Sequence, residues 1–187
     1  MATEDERSAR PGGGELAGVT IRRAGGGDIP QIDRLLRQVL EVHHAGRPDL
    51  FRGGVKKYTD GELEGILSSD DTPVFVAVRP RGAEDGVGET GADQVLGYAF
   101  CVFQRHPDSH ILTDVTTLYI DDLCVDERSR GMHVGSALYR FVVDYARGCG
   151  CHNVTLNVWS CNPSAMAFYE RMGLKPYRIG MERVLES

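Results

Sequence analysis

Apolar positions along this chain alternate between helical and strand-like spacing, and the changes divide it into elements. Residues 19–22 read as a short first strand. Asp28 opens a helix with Pro30 tolerated in its first turn, and Ile32, Leu35, Leu36, Val39 and Leu40 form one apolar stripe. His43 continues the stripe, His44 lies beside it, and Arg47-Pro48-Asp49-Leu50-Phe51 breaks the helix. Thr59 caps a second helix that runs to about Leu67, with Glu62 three residues on as the partner of a capping box. Residues 73–78 are apolar enough for a buried strand. Residues 79–94, Gly- and acid-rich without periodicity, read as an exposed loop, and 95–103 return as the other arm of a hairpin. A fourth strand is expected over 118–125. A helix follows with Val134, Leu138, Phe141, Val142 and Tyr145 on one face, then a fifth strand over 154–159. Asn162 as cap, Pro163 at the first position and Gly173 as terminator bound the last helix, and a final strand is expected over 178–185.

The resulting order, β-α-α-β-β-β-α-β-α-β, is a mixed α/β fold, and the 187 residues suit one domain over 18–187. Residues 1–17 are polar and Gly-rich, too poor in apolar surface to offset the entropy of ordering, and read as a disordered tail. No apolar run approaches the roughly 20 residues of a membrane span, and the N-terminus lacks a basic region followed by an apolar stretch, so a cytoplasmic protein is expected. The five cysteines (101, 124, 149, 151 and 161) are an odd set that argues against a disulfide framework. Cys149-Gly150-Cys151-His152 has no second ligand pair nearby, so no metal is expected. A net charge of −6 disfavours nucleic acid as a partner and is compatible with attracting a cationic amine.

The segment carrying most chemistry is 123–138. A strand ends, a turn bearing Arg128, Arg130 and Gly131 follows, and an amphipathic helix begins. Unpaired N–H groups and the helix dipole make such a junction suitable for a pyrophosphate. Neither G-x-x-x-x-G-K-[ST] nor a complete G-x-G-x-x-G is present.

Arg130-Gly131-Met132-His133-Val134-Gly135 resembles the acetyl-CoA-binding motif [QR]-x-x-G-x-[GA] of the GNAT superfamily of N-acetyltransferases, with His133 where a glycine is usual. Residues 162–174, Asn-Pro-Ser-Ala-Met-Ala-Phe-Tyr-Glu-Arg-Met-Gly-Leu, resemble that family's N-x-x-A-x-x-x-Y-x-x-x-G-F/L signature. The order of elements agrees from Val19 to Leu185.

The resemblance implies a mostly antiparallel twisted sheet of 6–7 strands flanked by about four helices. It implies acetyl-CoA as donor and a primary amine as acceptor. The amides of Arg130, Gly131, Met132, His133, Val134 and Gly135, with Ser136, would hold the pyrophosphate. Leu123, Cys124 and Val125 would run beside the pantetheine arm, where a main-chain N–H would also polarise the thioester carbonyl. Asn162 would contact the sulfur region, and Tyr169 would protonate the departing thiolate. From spacing alone, Tyr169 reads as a core aromatic beside Ala165, Phe168 and Met172, and the motif shifts the reading to the acid role.

An attacking ammonium must first lose a proton. The fifth-strand glutamate that some relatives carry in the pattern L-E-V is replaced here by Asn157 in Leu156-Asn157-Val158, and an amide cannot accept that proton. Asp122 is the preferred base because adjacent strand residues face opposite sides, with Asp121, Glu41, His43 or an ordered water as alternatives. A bulge would invert the choice between the two aspartates. The resemblance places His43, Phe51 and Tyr58 where relatives form the acceptor pocket, and they are expected to line it. A small amine is the expected acceptor. Peptide acetylation and a noncatalytic acyl-CoA-binding module are the competing readings, and a homodimer is compatible with the resemblance.

Overall fold

A computed structural model describes residues 16, 18–80 and 93–185. Chain order is β1 (Thr20–Arg23), α1 (Ile29–Gly46), α2 (Asp60–Ser68), β2 (Val74–Arg79), β3 (Gln94–Gln104), β4 (Thr117–Val125), α3 (Val134–Gly148), β5 (Asn153–Leu156) and α4 (Pro163–Arg171). Short 3-10 turns precede α1 (Gly26–Asp28) and follow β4 (Glu127–Ser129). The disordered tail expected over 1–17 and most of the 79–94 loop lie outside the described residues.

Residues up to Asn157 form one unit, built on a five-stranded sheet in the order β1-β2-β3-β4-β5. β1 to β4 pair antiparallel with their neighbours, and β5 joins β4 in parallel after the α3 crossover. The mixed, mostly antiparallel sheet agrees with the sequence reading. Alternate residues of β2 divide its two faces. Val74, Val76 and Val78 pack with Ile32, Leu35 and Leu36 of α1 and Leu63 and Leu67 of α2. Phe75, on the opposite face, meets Phe141 and Tyr145 of α3 edge-on at 5.0 and 4.8 Å.

β4 changes faces partway along. Phe100 pairs with Asp122, but Cys101 pairs with Ile120, leaving Asp121 as an extra residue. Directly opposed residues share a face, so this bulge puts Ile120 on one side of the sheet and Asp122 on the other. The parallel ladder to β5 ends at Ile120 opposite Leu156. From Asp121 to Val125, β4 is paired to β3 alone among the described residues.

Residues from Val158 onward form the second unit, which contains α4. Asn162 caps it through Ala165 N–H (3.2 Å), Pro163 begins it, and Gly173 (φ +92°) ends it with Leu174 N–H donating to Tyr169 O at 3.1 Å. These terminators fall where the sequence placed them.

Three expectations are corrected. The sheet has five strands among the described residues, not six or seven. β5 stops at Leu156 rather than Trp159, because the ladder that supports it ends there. The stretch 178–185 is not a strand. Ile179, Met181, Val184 and Leu185 are exposed, and no strand pairs with the segment among the described residues. No described helix is long and apolar enough to cross a membrane.

Asp28, read from sequence as a helix cap, has another role. Its carboxylate accepts two bonds from the Arg22 guanidinium (2.7 and 2.9 Å) and one from Gly25 N–H (2.9 Å). Burial opposes the charge, but these three donors outweigh it and hold the carboxyl below its ordinary range. Asp28→Asn is expected to cost about 1–2 kcal/mol, at the lower end of charged hydrogen bonds because Arg22 is partly solvated. Denaturant midpoints of the two proteins should converge as pH falls through the depressed folded-state titration of Asp28, since protonation removes the same interaction.

Candidate active site

The turn between β4 and α3 is held from beneath by Asp126, which is 2% exposed. Its N–H donates to Leu96 O (2.8 Å), and its carboxylate accepts from Arg34 of α1 (2.7 Å) and from Arg128 N–H (3.2 Å). Burial raises the cost of ionising Asp126, but Arg34 and the Arg128 amide prevail and keep it below its usual range. Gln38, one helical turn past Arg34, accepts from Glu127 N–H. Asp126, Arg34 and Gln38 were missed in the sequence. Asp126 stands just before the motif, but its partners lie some ninety residues away.

Above this anchor, Gly131 has φ +80° and His133 has φ +61°. The first main-chain bond of α3 beyond its cap runs from Ala137 N–H to His133 O. The amides of Val134, Gly135 and Ser136 therefore precede the helical ladder and point out of its N-terminus. Arg128 and Arg130 stand in the same turn and Met132 is exposed. At the foot of the turn β3 and β4 approach closely: a Cβ on Gly97 would lie 2.6 Å from Cys124 O, so only glycine fits. Leu123 and Val125 are half-buried on the stretch of β4 beyond the β5 ladder. Cys124 is buried, its Sγ 3.7 Å from Leu35 O, and burial followed by nearby Asp122 pushes its thiol up to about 12. Such a thiol is not a nucleophile.

On the α1–α2 side of the same strand, Asp121 and Asp122 share one ammonium. Lys57 Nζ lies 3.3 Å from each carboxylate. The Asp122 side chain is 8% exposed and also accepts from Tyr98 O–H at 3.2 Å. Burial raises the Asp122 carboxyl, and Lys57 and Tyr98 recover part of that rise. Burial and then Asp122 push the Tyr98 phenol well above its ordinary value. Lys57, one-third exposed, is held above the usual lysine range: burial pulls it down, but Asp122 and Asp121 more than compensate.

The expected acceptor residues gather around this group. His43 lies against Phe51, the rings tilted with centroids 5.0 Å apart, and is lowered, chiefly by burial, in the fields of Asp122 and Lys57. Tyr58 lies 6.2 Å from Phe100 and 5.2 Å below the Lys57 ammonium. The structure thus brings together His43, Phe51, Tyr58, Asp121 and Asp122, and adds Lys57 and Tyr98. Lys57 gave no signal in the sequence because Lys56-Lys57 reads as surface charge; both are exposed, but Lys56 pairs with Asp33 and Asp60 while Lys57 reaches the two aspartates of β4.

In the second unit, Asn162 accepts from Ser164 O–H (2.9 Å) as well as from Ala165 N–H. Tyr169 is half-buried with its ring 5.0 Å from Phe168. All five cysteines are free thiols, and no group of three or more His, Cys, Asp or Glu side chains among the described residues could hold a metal ion.

A family model described as "Acetyltransferase (GNAT) family" matches residues 45–174. Glucosamine 6-phosphate N-acetyltransferase of Arabidopsis thaliana is 31% identical over 68 residues, which span 36% of this chain and 44% of that relative. This chain therefore spans less than half of that relative's length. Thialysine N-epsilon-acetyltransferase of Bos taurus is 27% identical over 163 residues, 84% of this chain and 85% of the relative. Among solved structures, a tetramutant of the BH1408 protein from Bacillus halodurans superposes with a TM-score of 0.77 at 25% identity, covering 89% of this chain and 99% of its own.

A histidine in the left-handed region carries strain that glycine does not. His133→Gly is expected to raise stability by about 0.5–1 kcal/mol after allowance for the extra freedom of glycine in the unfolded chain. A higher thermal midpoint would show it. An unchanged or lower one would mean that the exposed imidazole makes a compensating contact.

Proposed function

This chain belongs to the acetyltransferase (GNAT) family, and from that premise we propose that it moves an acetyl group from acetyl-CoA to the primary amine of a small acceptor. The observation that carries the reading is the junction at the end of β4. A strand freed from its parallel neighbour leads into a turn whose successive amides point out of a helix N-terminus. The amides of Gly131 and of His133 to Ser136 fit a pyrophosphate there, those of Arg130 and Met132 donating instead to Glu127 O and Ser129 O within the turn, and Arg128 and Arg130 add positive charge. The main chain of Leu123 to Val125 fits an extended arm laid along the strand. When bound, acetyl-CoA supplies an acetyl thioester, whose C–S bond breaks as the new C–N bond forms, with one proton released to water overall.

The chain's own residues handle the protons. Asp122 takes one from the incoming ammonium. Its buried position makes it a stronger base than a surface carboxylate, and a net negative charge over Asp121, Asp122 and Lys57 favours a cationic acceptor. His43, Phe51 and Tyr58 line the approach of that acceptor. Protonation of the leaving thiolate falls to Tyr169 and contact with the sulfur region to Asn162, roles supported by the match of 162–174 to the family signature. Relatives named for glucosamine 6-phosphate and for thialysine are N-acetyltransferases, which supports a small amine as acceptor.

Amine-dependent thiol release from acetyl-CoA, measured over a panel of small amines, tests the reading. Tyr169→Phe should slow turnover tens-fold, roughly what one positioned acid contributes at the low end, while calorimetry finds acetyl-CoA affinity nearly unchanged. Equal loss of both would make Tyr169 a packing residue. Asp122→Asn should lower kcat/KM by about 10²–10⁴-fold with the donor still bound. Retained activity would move the base elsewhere.

A further inference from the structure

We infer that Lys57 is a positioning residue for proton transfer, its ammonium bridging Asp121 and Asp122 so that Asp122 meets the acceptor as a carboxylate ready to take a proton. The inference rests on the amine-acetylation reading of the same site and adds a residue to it.

Two neighbouring carboxylates, one of them 8% exposed, do not both ionise without a counter-charge. Lys57 is the cation within ion-pair distance of either aspartate among the described residues, and it sits 3.3 Å from both. The groups around Asp122 come from four parts of the chain. β3 supplies Tyr98, whose O–H donates to Asp122, and β4 supplies Asp121 and the buried Cys124 thiol. α1 supplies His43, and the α1–α2 connection supplies Lys57 and Tyr58. Tyr98 and Tyr58 are neutral and His43 is held toward its neutral form by burial, so none of them replaces the lysine charge. Lys57 is itself located by the Tyr58 face beneath it.

The proton balance follows from this arrangement. R–NH3+ gives one proton to the Asp122 carboxylate, leaving R–NH2 with its lone pair available. Asp122 later returns that proton to water. Lys57 keeps its own proton throughout, held charged by both carboxylates before the transfer and by Asp121 while Asp122 carries the proton. Without Lys57 the pair shares a proton at higher pH, and Asp122 begins the cycle already protonated.

The test titrates the Asp122 carboxyl carbon by NMR in the full chain, for the unaltered protein and for Lys57→Met, Lys57→Gln and Lys57→Arg. The same proteins are assayed for kcat/KM against pH and for acetyl-CoA affinity. The neutral variants should move the Asp122 midpoint up by about one pH unit or more, and the acid limb of kcat/KM should follow by the same amount. Acetyl-CoA affinity should stay within about twofold, and the arginine variant should restore both midpoint and limb. An Asp122 midpoint unmoved in both Met and Gln variants overturns the inference, and so does a moved midpoint with an unmoved rate profile. Failure of the acetyltransferase reading is seen separately, as absence of amine-dependent thiol release in the unaltered chain. The carboxyl titration needs no substrate.

Discussion

One extra residue in β4 organises the rest of the site. At Asp121 two residues face one of β3, so Ile120 stays on the face shared with Cys101 while Asp122 swings to the face shared with Phe100. The ladder to β5 ends at Ile120, which gives the strand one paired stretch and one open stretch. A regular strand would have put Ile120 and Asp122 on the same face and set a carboxylate among apolar side chains. The bulge resolves that conflict and sends the acid toward α1 and α2.

Both buried carboxylates of the site depend on cations from the helical layer. Asp126 takes Arg34 of α1, and Asp122 takes Lys57 from the connection between α1 and α2. Each acid would otherwise carry the full penalty of a charge removed from water. The consequence is mechanical as well as electrostatic. Arg34 and Gln38 on α1 hold the amide-bearing turn, and His43 further along the same helix joins the acidic cluster. The amide-bearing turn and the acidic cluster thus both meet one helix, which is itself fixed by the apolar stripe Ile32, Leu35 and Leu36 against the sheet.

Elements with strong local chemistry were legible in the sequence. The stripe of α1, the capping box of Thr59 and Glu62, and the Asn162–Pro163–Gly173 punctuation of α4 depend on residues within a few turns of one another. Periodicity misled where strand formation depends on a partner. The apolar residues of 178–185 find no ladder among the described residues, and the pairing of β5 with β4 ends at Leu156. The bulge was raised as something that would favour Asp121, yet Asp122 is the buried one, because the register with β3 decides which residue is extra.

The sequence by itself determined the helices, most of the strands, the mixed sheet and the amide-rich turn, since hydrophobic spacing and cap residues act over short distances. The family resemblance, not local spacing, suggested His43, Phe51 and Tyr58 as acceptor residues, and the two aspartates stood apart from them as candidate bases. Only the tertiary structure decided which aspartate is buried, that Lys57 rather than Lys56 reaches the Asp121–Asp122 pair, and that Arg34 supports Asp126. Those choices depend on strand register and on charges meeting across separations of 64 to 92 residues, for which no local pattern leaves a trace.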